Sequence, residues 1–552
     1  MKTQTIPMEE NRDNSSKLFN FRPVFFSAVF FVLGIVLARV FVEYALPAWL
    51  WCLCIPVAGL PFCFVTSKRE AIQRGIAVTV MSLFFLLGIG GFVWQIRDFQ
   101  DARGYFGEYT VHGRVANRVD SGTFSWLEID NLRIDGTKEN GKLIAYLPTD
   151  SVLNIQLADK VVLLGNVDTD TALFDEDGFR SYALENNAPY IMRVKNAVVE
   201  GHTFHFFLDV RQKALDVVRE GMDNTPAEIF VALLLGETSG IDKGLLENVR
   251  YGGIAHVFAV SGLHVGALFG CLLFIMKRKP FYRIPKPVRF CIMGAVLLFY
   301  GGICSFSSSV IRATVMCLCY YASSLLGIES DGLENVGGSC IIATLISPCS
   351  VFGAGYQLSF TACLGILLLG RRLEEGIWLL WGKCRALAGI PVRKYLPHEQ
   401  THPLTVLQTM ESKSISFLSV TLSAQIFTAP IQILAFGYLS VWSLLLNCIF
   451  VPLIGALFPL LLAVVSVTVL LPVGVSFVLL YIPNLLLSLL ALLFSLADFT
   501  AVAITNIHLT LFSTLAYYFA LLLCTDKWNA PKKYLYITAT VLALSCVIGI
   551  CI

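Results

Sequence analysis

The chain has 552 residues, of which 56% are hydrophobic and only 14% are charged. Soluble globular proteins have roughly 45–50% apolar and about 25% charged residues, so the composition excludes an ordinary soluble protein. The net charge of +2, from 41 Lys and Arg against 39 Asp and Glu, excludes a global field that would recruit nucleic acid or acidic substrates. We therefore expect a membrane protein whose local charges decide what it binds.

Three apolar runs open the chain, and each is long enough to cross a bilayer core. Their approximate limits are 24–42, 47–66 and 76–96. The first run resembles a signal peptide, but no small-residue cleavage site ends it. Lys68, Arg69 and Arg74 lie between the second and third runs, and short cationic loops stay in the cytoplasm. The sequence thus predicts an N-terminal helical domain at 1–96 with a cytoplasmic N-terminus, which places residues 97–225 outside the cytoplasm.

Apolar and polar residues alternate within residues 97–205, and this alternation predicts β-strands with one buried face. The predicted strands are 109–119, 124–134, 142–147, 160–167 and 190–199. Five short strands predict a small β-barrel. The barrel is either of the OB type, which often binds single-stranded nucleic acid, or one of many barrels that do not.

The charge of this region argues against broad contact with nucleic acid. Residues 97–225 contain 14 Lys and Arg against 21 Asp and Glu, whereas a protein that tracks phosphates needs an excess of cations. A local DNA-binding face remains open, with Arg114 and Arg118 as cations and Phe124 and Trp126 for base stacking. The alternative, which the acidic charge favours, is a solvated barrel face.

Residues 206–224 have apolar side chains at helical spacing, with charged residues, Arg211 among them, on the other face. This pattern predicts an amphipathic helix that lies on the membrane surface. The following run at 226–236 is apolar but too short to span, so it is either re-entrant or packed against other helices.

The remainder of the chain consists of apolar segments with brief connections. The segment 256–276 ends at six basic residues with no acidic residue among them, which predicts a cytoplasmic loop. The stretch 440–471 contains Pro452 and Pro459, and we interpret it as one broken span. With 526–552 as a last membrane segment, the sequence predicts a polytopic α-helical membrane protein of about 13 spans with an inserted β-barrel.

Polar residues inside the apolar segments are the first candidates for function, because a charge at the centre of a lone helix costs about 2.5–3.5 kcal/mol on insertion scales. His256, Ser261 and His264 would lie near one face of a continuous helix. Neighbouring glycines, including Gly262, permit close helix contact or an unwound backbone that lines a cavity. The alternative is an ordinary hydrogen bond from a histidine to a backbone carbonyl. The other polar residues in apolar segments are Glu237, Arg312, Gln357, Ser359, Gln425 and Asn447.

Several separate motifs carry a resemblance to a known family. They are HVFAVSGLHVG (256–266), SSSVIRATVM (307–316), GAGYQLSFTACLGI (353–366) and SLLLNCIFVPLIG (443–455). Together, and in this order, they resemble the ComEC family of competence proteins, over roughly residues 20–500. The resemblance implies a channel of the bacterial plasma (inner) membrane through which one strand of transforming DNA enters the cytoplasm, with residues 225–525 as the channel domain. The pore or gate positions it implies are His256, Ser261, Gly262, His264, Arg312, Gln357, Ser359 and Asn447.

The same resemblance implies the partners: single-stranded DNA, membrane lipid, and separate receptor, nuclease and motor proteins. It is also compatible with a homo-oligomer. Longer family members carry a metallo-β-lactamase-like domain with an HxHxDH motif, which this sequence lacks, and His202 and His205 have no third ligand beside them. We therefore expect no enzyme activity, no catalytic residue, no metal and no cofactor.

Three questions stay open at this point. Arg312 is either a donor to the passing polyanion or a lock between two helices through backbone carbonyls. Ser261 and His264 would suit an intramembrane serine protease, although the base has no evident orienting partner. A small-solute transporter would explain broken helices, but the two halves of the chain show no internal repeat.

Overall fold

The structure, a computed structural model, describes residues 22–44, 71–120, 124–148, 155–170, 179–387, 406–471, 473–495, 504–505, 509–523 and 525. The predicted segments 47–66 and 526–552 lie outside these residues. The described chain is mostly helical, with a small sheet domain inserted after the first two described helices.

The first two helices, α1 (Pro23–Glu43) and α2 (Ala71–Gln100), cross at two glycines. A Cβ atom added to Gly34 would lie 2.2 Å from the carbonyl oxygen of Phe85, and one added to Gly88 would lie 2.3 Å from that of Phe31. Such close approach of two backbones is what glycine permits in membrane helices. The crossing therefore depends on both glycines.

The described part of the sheet domain contains six strands. They are β1 (Phe106–Asp120), β2 (Phe124–Ile134), β3 (Thr137–Lys138), β4 (Leu143–Pro148), β5 (Asp159–Thr169) and β6 (Tyr190–His202). The strand order is β1-β5-β6-β4-β2-β3, and β1 also pairs with β2, so each of the five long strands has at least two neighbours. The β4–β6 pair is parallel and the others are antiparallel. All five predicted strands are present, while the two-residue β3 was not predicted.

A short helix, α3 (Phe179–Glu185), precedes β6, and α4 (Phe206–Gly221) follows it. Helix α4 is the predicted amphipathic helix, and its apolar face is covered by other helices of the chain. The prediction that Arg211 belongs to the polar face is wrong, because its side chain is 6% exposed. Arg211 follows Leu208 by three residues, which is the spacing of the buried face, and it pairs there with Glu237.

In the described ranges, the helical part continues with eleven further α-helices. They are α5 (Asn224–Leu235), α6 (Lys243–Tyr251), α7 (Gly262–Met276), α8 (Lys286–Ile303), α9 (Ser308–Leu326), α10 (Gly332–Ile346), α11 (Ala354–Leu387), α12 (Val406–Phe436), α13 (Ser443–Thr468), α14 (Val473–Ser495) and α15 (Leu511–Leu523). Nine residues of α5 are buried, so the short run is packed among other helices. Helix α13 is a single helix through Pro452 and Pro459, as the one-span interpretation requires.

Seven helices in the described ranges are long and apolar enough to cross a membrane. They are α1, α8, α9, α13, residues 79–100 of α2, residues 409–436 of α12 and residues 476–495 of α14. Four shorter apolar helices lie among them: α5, α7, α10 and residues 513–523 of α15. The described part of the chain thus supports a polytopic membrane protein and does not establish the expected number of 13 spans.

Candidate functional site

The segment before α7 is not the continuous helix that the sequence predicts for 256–276. A short 3₁₀ helix (Ala255–Val257) is followed by extended backbone at Ser261, and the α-helix begins only at Gly262. Gly253 has φ +74 and a Cβ added there would lie 2.3 Å from Ser443, so a glycine is needed where the chain turns. His256 is exposed and His264 is fully buried, which contradicts the expected common helix face.

Ser261 and His264 form a capping box at the start of α7. The Oγ atom of Ser261 accepts a hydrogen bond from the N–H of Leu263 at 3.3 Å, and His264 Nδ1 accepts one from the N–H of Ser261 at 3.1 Å. Because Nδ1 is an acceptor, a neutral ring carries its proton on Nε2. This buried Nε2 atom has no hydrogen-bond partner among the described residues. Position 264 thus presents a ring N–H with no nitrogen or oxygen acceptor in the described part of the chain, while the ring itself contacts the Phe458 ring edge-to-face, with 4.8 Å between the ring centroids.

Arg312 lies beside the same helix start and is only 2% exposed. A Cβ atom on Gly262 would lie 3.9 Å from its Nη2 atom, and its guanidinium carbon lies 5.0 Å from the ring centroid of Phe360 on α11. Its buried Nη1 atom has no hydrogen-bond partner among the described residues, and no described carboxylate forms an ion pair with the guanidinium. If Arg312 joined two helices, its guanidinium would donate hydrogen bonds to backbone carbonyls. The structure instead shows a contact with an aromatic ring. A buried cation without a partner is costly unless something else compensates it.

Other buried polar atoms on the neighbouring helices also lack partners within the described part of the chain. They are Thr314 Oγ1 on α9, Gln425 Nε2 on α12 and Asn447 Oδ1 on α13. Helix α7 packs against both α9 and α13, and α13 packs against α12. Native structures leave few such groups, so each of them, in the apolar part of a membrane protein, is a candidate for contact with water or a polar ligand.

The remaining predicted pore positions have different surroundings. Gln357 donates through Nε2 to the carbonyl oxygen of Val351 at 3.1 Å, so it stabilises the start of α11. Ser359 is half-buried on the same helix. The structure thus brings Gly262, His264 and Arg312 together with Ser261, and it leaves Gln357 engaged elsewhere. Sequence analysis missed the ring partner Phe360, because an apolar residue in an apolar segment gives no signal.

The four residues proposed for DNA contact in the sheet domain separate into two pairs. Arg114 forms an ion pair with Asp130, with its Nε atom 2.9 Å from Oδ1, so its charge is already compensated. Phe124 is 61% exposed at the start of β2. Arg118 and Trp126 lie together in one cavity, where Trp126 also contacts the Tyr182 ring edge-to-face at 5.7 Å. Only the second pair shares a site.

The two histidines considered as metal ligands have structural roles. His202 contacts Asp159 through Nδ1 at 2.9 Å and Asp209 through Nε2 at 3.0 Å, and the hydrogen bond to Asp159 raises the pKa of the ring. His205 caps α4 by accepting from the N–H of Leu208 at 3.4 Å. The described residues contain no group of three or more His, Cys, Asp and Glu side chains that could hold a metal ion.

The fold and this site define a class of protein: a polytopic helical membrane protein with an inserted sheet domain and, beside a capped helix start, a buried cation that no described carboxylate pairs with. The model of the competence protein family matches residues 233–530, more than half of the chain and the region that contains Ser261, His264 and Arg312. The chain belongs to the competence protein family, which confirms the resemblance drawn from its motifs.

A curated relative is ComE operon protein 3 of Bacillus subtilis (strain 168), which is 28% identical over 161 residues. The aligned region covers 29% of this chain and 20% of that protein, so the chain matches only about a fifth of the relative's length. No solved structure matches the chain significantly.

Proposed function

We propose that the chain forms the membrane passage through which single-stranded transforming DNA reaches the cytoplasm. Membership of the competence protein family supports a role in DNA uptake. The single observation that carries the proposal of a passage is Arg312, a buried guanidinium without a carboxylate partner in the described ranges, beside the N-terminus of α7.

The chemistry of this site suits a passing polyanion. A phosphodiester backbone that crosses an apolar layer needs donors along its path, and those donors must be weak and several so that the strand can leave again. Arg312, His264 Nε2–H and the helix N-terminus, which carries a partial positive charge, supply such donors. Buried polar groups on α12 and α13 also lack partners among the described residues, and they are further candidates for contact with the strand.

We further propose an arrangement in the bacterial plasma membrane. The cationic loop after α7 would lie in the cytoplasm, and the sheet domain would lie on the outer side as an OB-like barrel. A receptor, a nuclease and a motor would then be separate proteins that act before and after the passage. A homo-oligomer is compatible with this arrangement.

Deleting and restoring the gene tests this function. Cells that carry the chain should transfer labelled DNA from a surface pool into a fraction protected inside the cytoplasm, and cells without it should hold the DNA outside. Equal cytoplasmic import with and without the chain would refute the proposal. Surface-bound DNA serves as the control, because the passage acts after binding.

An intramembrane serine protease is a second candidate, favoured by one distance. Ser261 Oγ lies 3.1 Å from His264 Nδ1, within reach for proton transfer. However, the same nitrogen already accepts from the N–H of Ser261, and Nε2 has no carboxylate within the described structure to orient the ring. The capping box accounts for this contact without catalysis, so we favour the passage.

A further inference from the structure

A cavity of about 320 Å³ lies where the sheet domain meets the helical part. The sheet contributes Arg118 and Trp126, and the helical part contributes Arg211, Glu237, Lys243 and Arg250. Four of these side chains are cationic and one is acidic. This balance contrasts with the acidic excess of residues 97–225 as a whole.

The acidic residue is already neutralised. Glu237 accepts from Arg211 Nη2 at 3.3 Å and from Arg219 Nη2 at 3.2 Å. By contrast, Lys243 and Arg250 are exposed and form no ion pair with any residue that the structure describes. Both lie on α6, at its two ends. The cavity therefore presents uncompensated positive charge, which favours an anionic ligand.

The sheet side adds a flat aromatic surface. Trp126 is half-buried on β2, and its contact with Tyr182 is edge-to-face, an arrangement that orients the indole. Arg118 also lines the cavity, and its Nη1 atom donates to the carbonyl oxygen of Ile155 at 3.0 Å, which orients the guanidinium. A base can stack on an indole whatever its sequence, while cations hold the adjoining phosphate.

The cavity adjoins the site in the helical part. Gly236, in its lining, has φ +74 and ends α5. A Cβ atom on Gly236 would lie 2.9 Å from Cγ2 and 3.1 Å from N of Val260. Val260 is the residue directly before Ser261, so the lining of the cavity contacts the segment that leads into the helix start beside Arg312.

We propose that this cavity binds single-stranded DNA, with Lys243 and Arg250 holding a phosphodiester and Trp126 stacking on an adjoining base. The ligand class rests on the proposed function. The site is composite, because the sheet supplies the stacking surface and the helical part supplies the free cations. It would present the strand to the helical passage next to Val260.

The experiment measures binding of a fluorescent oligothymidylate to the full chain purified in neutral detergent. The double variant Lys243→Ala/Arg250→Ala is compared with Arg133→Ala/Lys213→Ala, which also removes one Lys and one Arg, both exposed and outside the cavity. We expect the first pair to weaken binding about tenfold and to lower the salt dependence of log Kd by roughly 1–1.5. The control pair should change Kd by less than about twofold.

Two further arms test the stacking surface and the ligand. Trp126→Leu should weaken binding about tenfold for an oligothymidylate and hardly at all for an abasic oligomer of equal length. Equal loss in both double variants, no binding by the wild type, or no difference between the two oligomers would overturn the proposal. It would also be wrong if the wild type bound anionic phospholipid through Lys243 and Arg250 but bound no oligomer.

The assay involves no transport, so it separates this site from the passage. The oligomer could bind through the cavity residues while deletion of the chain leaves import unchanged. That result would refute the proposed function and would support the binding site. Import could instead require the chain, while Lys243→Ala/Arg250→Ala changes neither import nor oligomer binding. That result would refute the binding site and leave the proposed function standing.

Discussion

Replacing Arg312 with methionine is expected to make the protein more stable and to impair DNA import at the same time. The guanidinium is buried without an ion-pair partner among the described residues, and burying a charge in this way costs several kcal/mol. Its contact with the Phe360 ring returns only about 0.5–2 kcal/mol. Methionine has a similar length and no charge, so the melting temperature in detergent should rise.

Import should fall because a donor to the phosphate backbone is lost. Hydrogen bonds to charged groups contribute about 1.5–3 kcal/mol, so we expect import to fall about 10- to 100-fold at equal membrane abundance. Arg312→Lys is the matched control, since it keeps the charge and should retain part of the import. A lower melting temperature for Arg312→Met with unchanged import would assign Arg312 to helix packing and contradict its role in the passage.

Replacing Gly88 with alanine is expected to separate α1 from α2. The new methyl group would lie 2.3 Å from the carbonyl oxygen of Phe31, and a backbone atom cannot move aside by a rotamer change. Overpacking of this kind typically costs about 1–3 kcal/mol, which exceeds the gain of roughly 0.8–1 kcal/mol in helix propensity from Gly to Ala. The melting temperature should therefore fall, together with membrane abundance.

Gly90 on the same helix provides the matched control. A Cβ atom there meets nothing within 4 Å, so Gly90→Ala should leave the protein unchanged or slightly more stable. Both variants are heated in detergent, and the fraction of protein that stays monodisperse is followed by fluorescence to obtain the two melting temperatures. Equal melting temperatures for the two variants would show that the crossing of α1 and α2 does not depend on close backbone contact.

The strands of the sheet domain were largely predictable from alternating apolar and polar residues, and the alternation is clearest in β5. In β5, buried Val161, Leu163 and Val167 alternate with more exposed residues, and this pattern is visible in the sequence. The strand order was not predictable, since pairing such as the parallel β4–β6 contact joins segments far apart in the chain. Arg211 was placed on the wrong face because a charged residue gives no sequence signal that a partner, here Glu237, lies across the packed surface.

The sequence marks candidate site residues, but it does not predict how they are arranged. Ser261, His264 and Arg312 stand out as polar residues in apolar segments, and the motifs around them carry the family resemblance. Helical spacing alone suggested a continuous helix through His256, whereas Ser261 ends one element and caps the next. In the sequence, a serine inside a helix and a serine that caps a helix look the same. The extended backbone at position 261 and the tertiary contacts of Gly253 distinguish them, and both are visible only in the structure. The proximity of Gly262 to Arg312 likewise comes only from the packing of α7 against α9.

Photocrosslinking during DNA import tests the central claim most directly. A photoreactive residue is placed at Gly262, where an added side chain would lie next to Arg312, and separately at Gly90, where it would meet open space outside the packed helices. Our account predicts that illumination during import joins labelled DNA to the chain from position 262 and not from position 90. Continued import with no adduct from position 262, or equal adducts from both positions, would contradict a DNA path beside Arg312.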